Sequence, residues 1–239
     1  MLSSKTYLIT GASSGIGLAI SYYLLEQGHS VIGLARDFST CSLMSQSKFK
    51  AYCVDLAHLP TLPEHLKHIE TLCTSLDGII MCAGQGIFGT LDNFSHEKIQ
   101  YLINLNLTSP LFLLKTFTPK LREKESSDII LLGSEAGLNG AKQGSIYCAS
   151  KFGLRGVAQS LRKECSAHNI RVSLINPGPI DTPFFDDLLF EPQSGREYSL
   201  EATDIVEAVK HILSLPPHVV IEEYNIQPMK RSFKNKKSL

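Results

Sequence analysis

A chain of 239 residues that is 43% hydrophobic and carries 23 basic against 23 acidic side chains is long enough to bury one sizeable core, within the range where large α/β folds stay single domains. Zero formal net charge excludes a global field that would draw nucleic acid, anionic lipid or a strongly charged substrate, so charge selectivity has to be local. The six cysteines (Cys41, Cys53, Cys73, Cys82, Cys148, Cys165) are scattered, with no C-x-x-C pair and no histidine at a zinc-ligand spacing, and they read as reduced thiols with no metal site.

The first ten residues hold too short an apolar run for a signal peptide, and no later stretch approaches the roughly 18 apolar residues of a membrane span, so the expected compartment is the cytoplasm. Short apolar runs then alternate with segments of helical periodicity. Strands are predicted over 6–10, 31–35, 51–54, 78–82, 128–133, 171–176 and 219–226, and helices over 16–27, 64–72, 96–120, 146–168 and 202–215. The strands are continuously apolar rather than alternating, which suits burial on both faces of a parallel sheet. The pattern predicts a single-domain, doubly wound α/β fold: about seven parallel strands with helices on both faces. Asn176-Pro177-Gly178-Pro179 stops the sixth strand, and Leu215-Pro216-Pro217 ends the last long helix. The domain is expected to cover 1–229, with a loop-like substrate lid at about 183–200. Residues 230–239, with Lys230, Arg231, Lys234, Lys236 and Lys237, read as a frayed, solvated basic tail rather than an RNA or membrane contact.

Between the first strand and the first helix lies Thr10-Gly11-Ala12-Ser13-Ser14-Gly15-Ile16-Gly17. Gly11 permits the turn out of the strand, Gly15 lets backbone approach a pyrophosphate, and Gly17 lets the helix pack on the sheet, so that helix amides point at the anion. Ser13, Ser14 and Ile16 complete this cradle. A glycine triad alone is weak, but its place at the first βα junction makes it a dinucleotide site of the Rossmann type. About twenty residues on, Arg36 ends the second strand, where such a fold meets the adenosine ribose. Arginine there argues for a 2′-phosphate and hence NADP(H). The alternatives are a surface pair with Asp37, or Asp37 itself reaching a ribose hydroxyl. Asp55, after the third strand, accepts from the adenine amino group, caps the next segment, or both.

Tyr147 and Lys151 form Y-x-x-x-K, one turn apart on one helix face. A phenol of pKa near 10 is a poor base at neutral pH, but an ammonium one turn away, with the positive nicotinamide of an oxidised cofactor, favours the phenolate. Tyr147 then exchanges a proton with the oxygen whose carbon exchanges hydride. Ser134, thirteen residues earlier and at a strand end facing the ligand crevice, donates to that oxygen.

These motifs, in this order, resemble the short-chain dehydrogenase/reductase family along the whole chain apart from the last ten residues. The resemblance implies an NADP(H)-dependent oxidoreductase acting on a small carbonyl compound or secondary alcohol. It implies that Lys151 also binds the nicotinamide ribose with Tyr147, and that Asn106 completes a proton relay through water. It places Pro177, Gly178 and Ile180 beside the nicotinamide, with Thr182 on the carboxamide or else capping a helix. The family's N-A-G reads here Cys82-Ala83-Gly84. Ala83 and Gly84 keep their cofactor-binding role, whereas cysteine in place of asparagine puts local rigidity in question. By resemblance, homodimers or homotetramers form through helices 96–120 and 146–168. The lid offers Phe184, Phe185, Leu188, Leu189 and Phe190, with Asp186, Asp187 and Arg196 at its edges. It suits an apolar carbonyl compound, unless Arg196 recognises a carboxylate. The stretch 216–228 resembles the bacterial NADP-dependent 3-hydroxy acid (serine-type) dehydrogenase branch, which implies a hydroxy acid or hydroxy amino acid. The alternatives are a 3-oxoacyl-thioester or diketone reductase and, in a different class, a non-catalytic NADP(H)-sensing regulator.

Overall fold

The computed structural model describes residues 4–236; residues 1–3 and 237–239, with the Lys237 counted in the basic tail, lie outside the described residues. The strands are β1 (Thr6–Thr10), β2 (Ser30–Ala35), β3 (Phe49–Cys53), β4 (Gly78–Met81), β5 (Ser127–Leu132), β6 (Ile170–Pro177), β7 (Phe190–Pro192), β8 (Glu223–Ile226) and β9 (Phe233–Asn235). Seven of them form one sheet in the order β3-β2-β1-β4-β5-β6-β8, and every pairing in it is parallel. The helices are α1 (Gly15–Glu26), α2 (Leu62–Leu72), α3 (His96–Ile103), α4 (Ser109–Leu121), α5 (Ser145–Cys165) and α6 (Ala202–Ser214).

Alternate strand residues feed opposite cores. Leu8, Ile79, Ile129 and Leu131 pack with Leu66 of α2, Phe117 of α4 and Leu154 of α5. Tyr7, Ile9, Ile80 and Ile130 pack with Ile20 and Leu24 of α1 and Val209 of α6. Both faces of each central strand are therefore apolar, which is the reason for the unbroken hydrophobic runs. The chain leaves β1 toward β2 on one side of the sheet, while β4 opens the other half, so the carboxyl ends of β1 and β4 diverge into a crevice.

Three segments differ from the sequence expectation. The single helix over 96–120 is interrupted by a π-helical turn, Asn104–Thr108. Pro110 at the start of α4 has no amide to donate to Asn106, and the Ser109 hydroxyl donates instead to the Leu105 carbonyl at 2.8 Å. The lid is not wholly loop: it carries β7. The described part of the tail is not frayed either, because β9 pairs with β7 antiparallel, Glu191 opposite Lys234 and Pro192 opposite Phe233. Phe233 stacks edge-on to Phe190 at 5.6 Å, and Lys234 meets Glu191 at 3.2 Å. Lys236 donates to the carbonyls of Phe185 and Asp186. Among the described basic residues, Lys234 and Lys236 are thus tied by their side chains to the lid.

Candidate active site

The crevice is floored by the glycine loop. Gly11 turns with φ +69°, its amide donates to the Leu34 carbonyl at 2.8 Å, and a Cβ there would lie 3.1 Å from the Ala83 backbone. A Cβ on Gly17 would collide with the Gly11 carbonyl oxygen. Side chains at either position would close the cradle. Ser14 is the N-cap of α1 but makes no side-chain capping bond, and the first turn holds no acid, which leaves the helix amides available to an anion. Thr182 faces this loop: its Cβ and Cγ2 stand 3.8 Å from where a Gly15 side chain would begin. Thr182 precedes the turn Pro183–Phe185 and makes no side-chain capping bond to it. These residues fit a dinucleotide pyrophosphate.

At the far end of the crevice Arg36, Asp55, His58 and His65 line a cavity of about 360 Å³. Asp37 is engaged by Ser39, accepting from its amide at 2.8 Å and its hydroxyl at 2.7 Å, and these bonds hold the carboxyl below its usual range. Among the described residues Arg36 forms no ion pair, so the reading of a surface Arg36–Asp37 pair falls away. Asp55 accepts from the Ala57 amide at 2.9 Å, the capping half of its expected role.

At the other end α5 brings Tyr147 and Lys151 under the last residues of β5. Tyr147 is 7% exposed, Lys151 6% and Ser134 9%. Ser134 Oγ accepts from the Ala136 amide at 3.1 Å and is hydrogen-bonded to the phenol of Tyr147. The Lys151 ammonium donates to the Leu132 carbonyl at 2.9 Å and stands 5.8 Å from the centre of the Tyr147 ring. Phe88 and Phe184 cover that ring at 5.4 and 5.9 Å between centroids. Burial dominates the titration. It pushes the phenol up to about 12, with the Ser134 hydrogen bond pulling the other way, and it drives Lys151 down to about 8. In the chain without a bound nicotinamide, desolvation therefore holds the phenol in its protonated form.

Asn106, 1% exposed, projects from the π-helical turn and clamps the loop after β4. Its Nδ2 donates to the Gln85 carbonyl at 2.9 Å and to Ser150 Oγ at 3.1 Å, while Oδ1 accepts from the Gln85 amide at 3.0 Å. Asn106 Oδ1 and Lys151 Nζ both face Gly84, at 3.2 and 3.6 Å from its missing Cβ. Beside it, the Thr10 hydroxyl accepts from the Ala83 amide at 3.1 Å, steadying the segment that begins with Cys82. The Cys82 thiol is pushed up to about 12 by burial and is inert as a nucleophile. Pro177 closes β6, and the Gly178 amide donates to the Ile226 carbonyl at 2.9 Å. Ile180 is buried and bridges to Leu200 across the base of the lid.

A glycine cradle, a buried Ser–Tyr–Lys group and a divided parallel sheet coincide with the family model for short chain dehydrogenases, which matches residues 5–191. The chain belongs to the short-chain dehydrogenase family. An uncharacterized oxidoreductase of Staphylococcus epidermidis is 30% identical over 231 residues, covering 95% of this chain and 99% of that one. A metagenomic short-chain oxidoreductase solved in complex with NADP is 28% identical, with TM-score 0.79, over 96% of this chain and 99% of its own. An alcohol dehydrogenase of the archaeon Thermococcus sibiricus, complexed with 5-hydroxy-NADP, superposes with TM-score 0.84 at 25% identity over 96% and 99% of the two chains.

As a short-chain dehydrogenase the chain is an oxidoreductase. Thr10, Gln85, Phe88, Ser150 and Glu135 are parts of its site that sequence reasoning gave no role. Thr10 stood inside the glycine motif and was legible there; the others had no periodic or charge signal. Asn106→Ala would leave both backbone groups of Gln85 without their partner, so it is expected to cost about 2 kcal/mol of stability and to weaken NADPH binding. Urea denaturation and fluorescence titration check this, and an unchanged midpoint with unchanged affinity would remove the clamp.

Proposed function

We propose that this chain interconverts a carbonyl and a secondary alcohol of a small substrate using NADP(H), with Tyr147 as the proton-transfer group. The observation that carries this reading is the burial of Tyr147, Ser134 and Lys151 together at the carboxyl end of β5, across the crevice from the glycine loop. A non-catalytic sensor would have no use for that assembly.

In this reading the backbone of Gly11, Ser13, Ser14, Gly15, Ile16 and Gly17 holds the pyrophosphate, Arg36 the 2′-phosphate and Asp55 the adenine. Ala83 and Gly84 form the floor, Tyr147 and Lys151 hold the nicotinamide ribose, and Pro177, Gly178, Ile180 and Thr182 hold the nicotinamide. NADPH, when bound, supplies the hydride. The Ser134 oxygen is engaged by the Ala136 amide, so its hydroxyl hydrogen, shared with the Tyr147 oxygen, can turn to the substrate oxygen as negative charge gathers there. Tyr147 gives that oxygen its proton in reduction and takes it back in oxidation. Lys151 stabilises the phenolate left behind, and the loop clamped by Asn106 keeps the proton route beside the ribose. Covered by Phe88 and Phe184, the reacting oxygen meets the protein's donors rather than water.

The walls favour an apolar carbonyl compound. Phe88, Phe184 and Phe190 line the entrance to Tyr147. Arg196, which a carboxylate would require, is 86% exposed and paired with Glu201 at 2.9 Å. A neutral ketone, diketone or acyl thioester therefore ranks above the 3-hydroxy acid or hydroxy amino acid suggested by residues 216–228. Leu111 of α4 and Phe152 of α5, 43% and 44% exposed, support pairing of two or four copies through those helices. All six cysteines are free, which supports a reducing compartment such as the cytoplasm.

An NADPH-oxidation assay over apolar ketones, 3-oxo acids and 3-oxoacyl thioesters tests the reading. Tyr147→Phe should keep NADPH affinity within about twofold while turnover falls on the order of 10²-fold or more. Near-normal turnover in that variant would sink the mechanism. Arg36→Ala should weaken NADPH about tenfold or more and leave NADH nearly unchanged; equal losses for both would refute the 2′-phosphate assignment.

A further inference from the structure

Arg36 does not stand alone at the far end of the crevice: the cavity of about 360 Å³ that it lines is shared with Cys53, Asp55, His58, Thr61 and His65. Local structure sets the two histidines on one wall. The His58 amide donates to the Asp55 carbonyl at 3.2 Å, closing the turn after β3, and Thr61 follows as the N-cap of α2. The His65 amide donates to the Thr61 carbonyl at 3.2 Å, so His65 stands one helical turn beyond Thr61 on the same face. The Thr61 hydroxyl meets Nδ1 of His58 at 2.8 Å. A hydroxyl both donates and accepts, so this bond suits a neutral or a protonated ring.

The charges around this wall are unequal. Among the described residues Arg36, His58 and His65 form no ion pair. Asp37, beside Arg36, is taken up by Ser39, and Asp55 accepts from the Ala57 amide. Glu64, Lys67 and His68 of α2 do not line the cavity. One carboxylate, Asp55, and one thiol, Cys53, thus share the space with a guanidinium and two imidazoles. With both imidazoles protonated, the balance favours an anion that carries more than one negative charge.

We propose that His58 and His65 are nucleotide-selecting residues: together with Arg36 they hold the 2′-phosphate end of NADP(H), and their protonation sets how strongly NADP(H) is preferred over NAD(H) as pH changes. The proposal rests on reading Arg36 as the 2′-phosphate ligand. A guanidinium keeps its charge at all working pH values, whereas an imidazole changes charge between about pH 5 and 8. A phosphate monoester gains its second negative charge near pH 6. Preference for the phosphorylated dinucleotide therefore climbs as the phosphate ionises and falls again as the imidazoles lose their protons. A site of arginine alone would climb and then stay level.

The test measures the Kd of NADP⁺ and of NAD⁺ by isothermal calorimetry between about pH 5.5 and about pH 8.5. It uses the full chain, His58→Gln, His65→Gln, and the two substitutions together. Both dinucleotides bring the same nicotinamide, ribose and pyrophosphate, so their ratio cancels the titration of Tyr147 and Lys151 and isolates the 2′-phosphate. In the unaltered chain the preference for NADP⁺ should drop about fivefold or more from about pH 6.5 to about pH 8.5, the scale of one unit charge lost about 4 Å from another in solvent. Each single variant should lose part of that drop, and the double variant all of it. His58→Lys combined with His65→Lys should keep the preference high at the alkaline end, which a merely structural role for the histidines would not produce. Both side chains are exposed, and equal urea midpoints check that the variants fold. A preference for NADP⁺ that stays level above about pH 6.5, or a drop that survives in the double variant, overturns the proposal and leaves the Arg36 assignment standing. Equal affinity for NADP⁺ and NAD⁺ at every pH overturns both.

Discussion

The phenol of Tyr147 and the ammonium of Lys151 share one pocket from which water is excluded, and the chemistry of the site depends on that exclusion. Removed from solvent, a phenolate and an ammonium each lose hydration that only a fixed partner replaces. In the chain alone both groups are pushed toward neutrality, the tyrosine up to about 12 and the lysine down to about 8. A site held this way has little base at neutral pH until charge of the right sign arrives. In the proposed function an oxidised nicotinamide would bring that charge to the same crevice, and the same burial would couple its binding to activation. The low dielectric also makes every nearby charge count.

What excludes the water is an aromatic lid rather than a closed barrel of aliphatic side chains. Phe88 and Phe184 contact the Tyr147 ring, Phe190 contacts Phe88, and Phe185 and Phe190 in turn contact Phe233. A substrate reaching Tyr147 has to displace part of this cluster, and planar or apolar groups replace those contacts at least cost. The C-terminal strand holds the back of the lid through the β7–β9 pairing.

The parts of this arrangement legible in the sequence are those fixed by short-range geometry. Glycines at a βα junction, a tyrosine and a lysine one helical turn apart, and unbroken apolar strands each express their structural reason within a few residues. Asn106 was found through the family pattern, but its clamp on Gln85 depends on the π-helical turn, which has the same apolar periodicity as an unbroken helix. The β7–β9 pairing was hidden because a three-residue strand has no period to detect, and a cluster of lysines reads as solvated until the acceptors are seen. Glu135 and Arg231, paired at 2.9 Å, stand 96 residues apart, and neither sequence environment announces the other. The desolvation of Tyr147 was hidden for a related reason: spacing reveals a neighbouring ammonium, whereas Phe88 and Phe184, which cover the ring, arrive from distant segments.

Activation by burial and cofactor charge is tested most directly by measuring the ionisation of Tyr147 in the unaltered protein with and without NADP⁺, by near-ultraviolet difference absorbance. The phenol should titrate near 12 in the free chain, as its burial dictates, and fall by about two pH units or more in the NADP⁺ complex, as expected for a cation brought into a water-poor site. A midpoint near 10 in the free chain, or one that does not move when NADP⁺ binds, would contradict it.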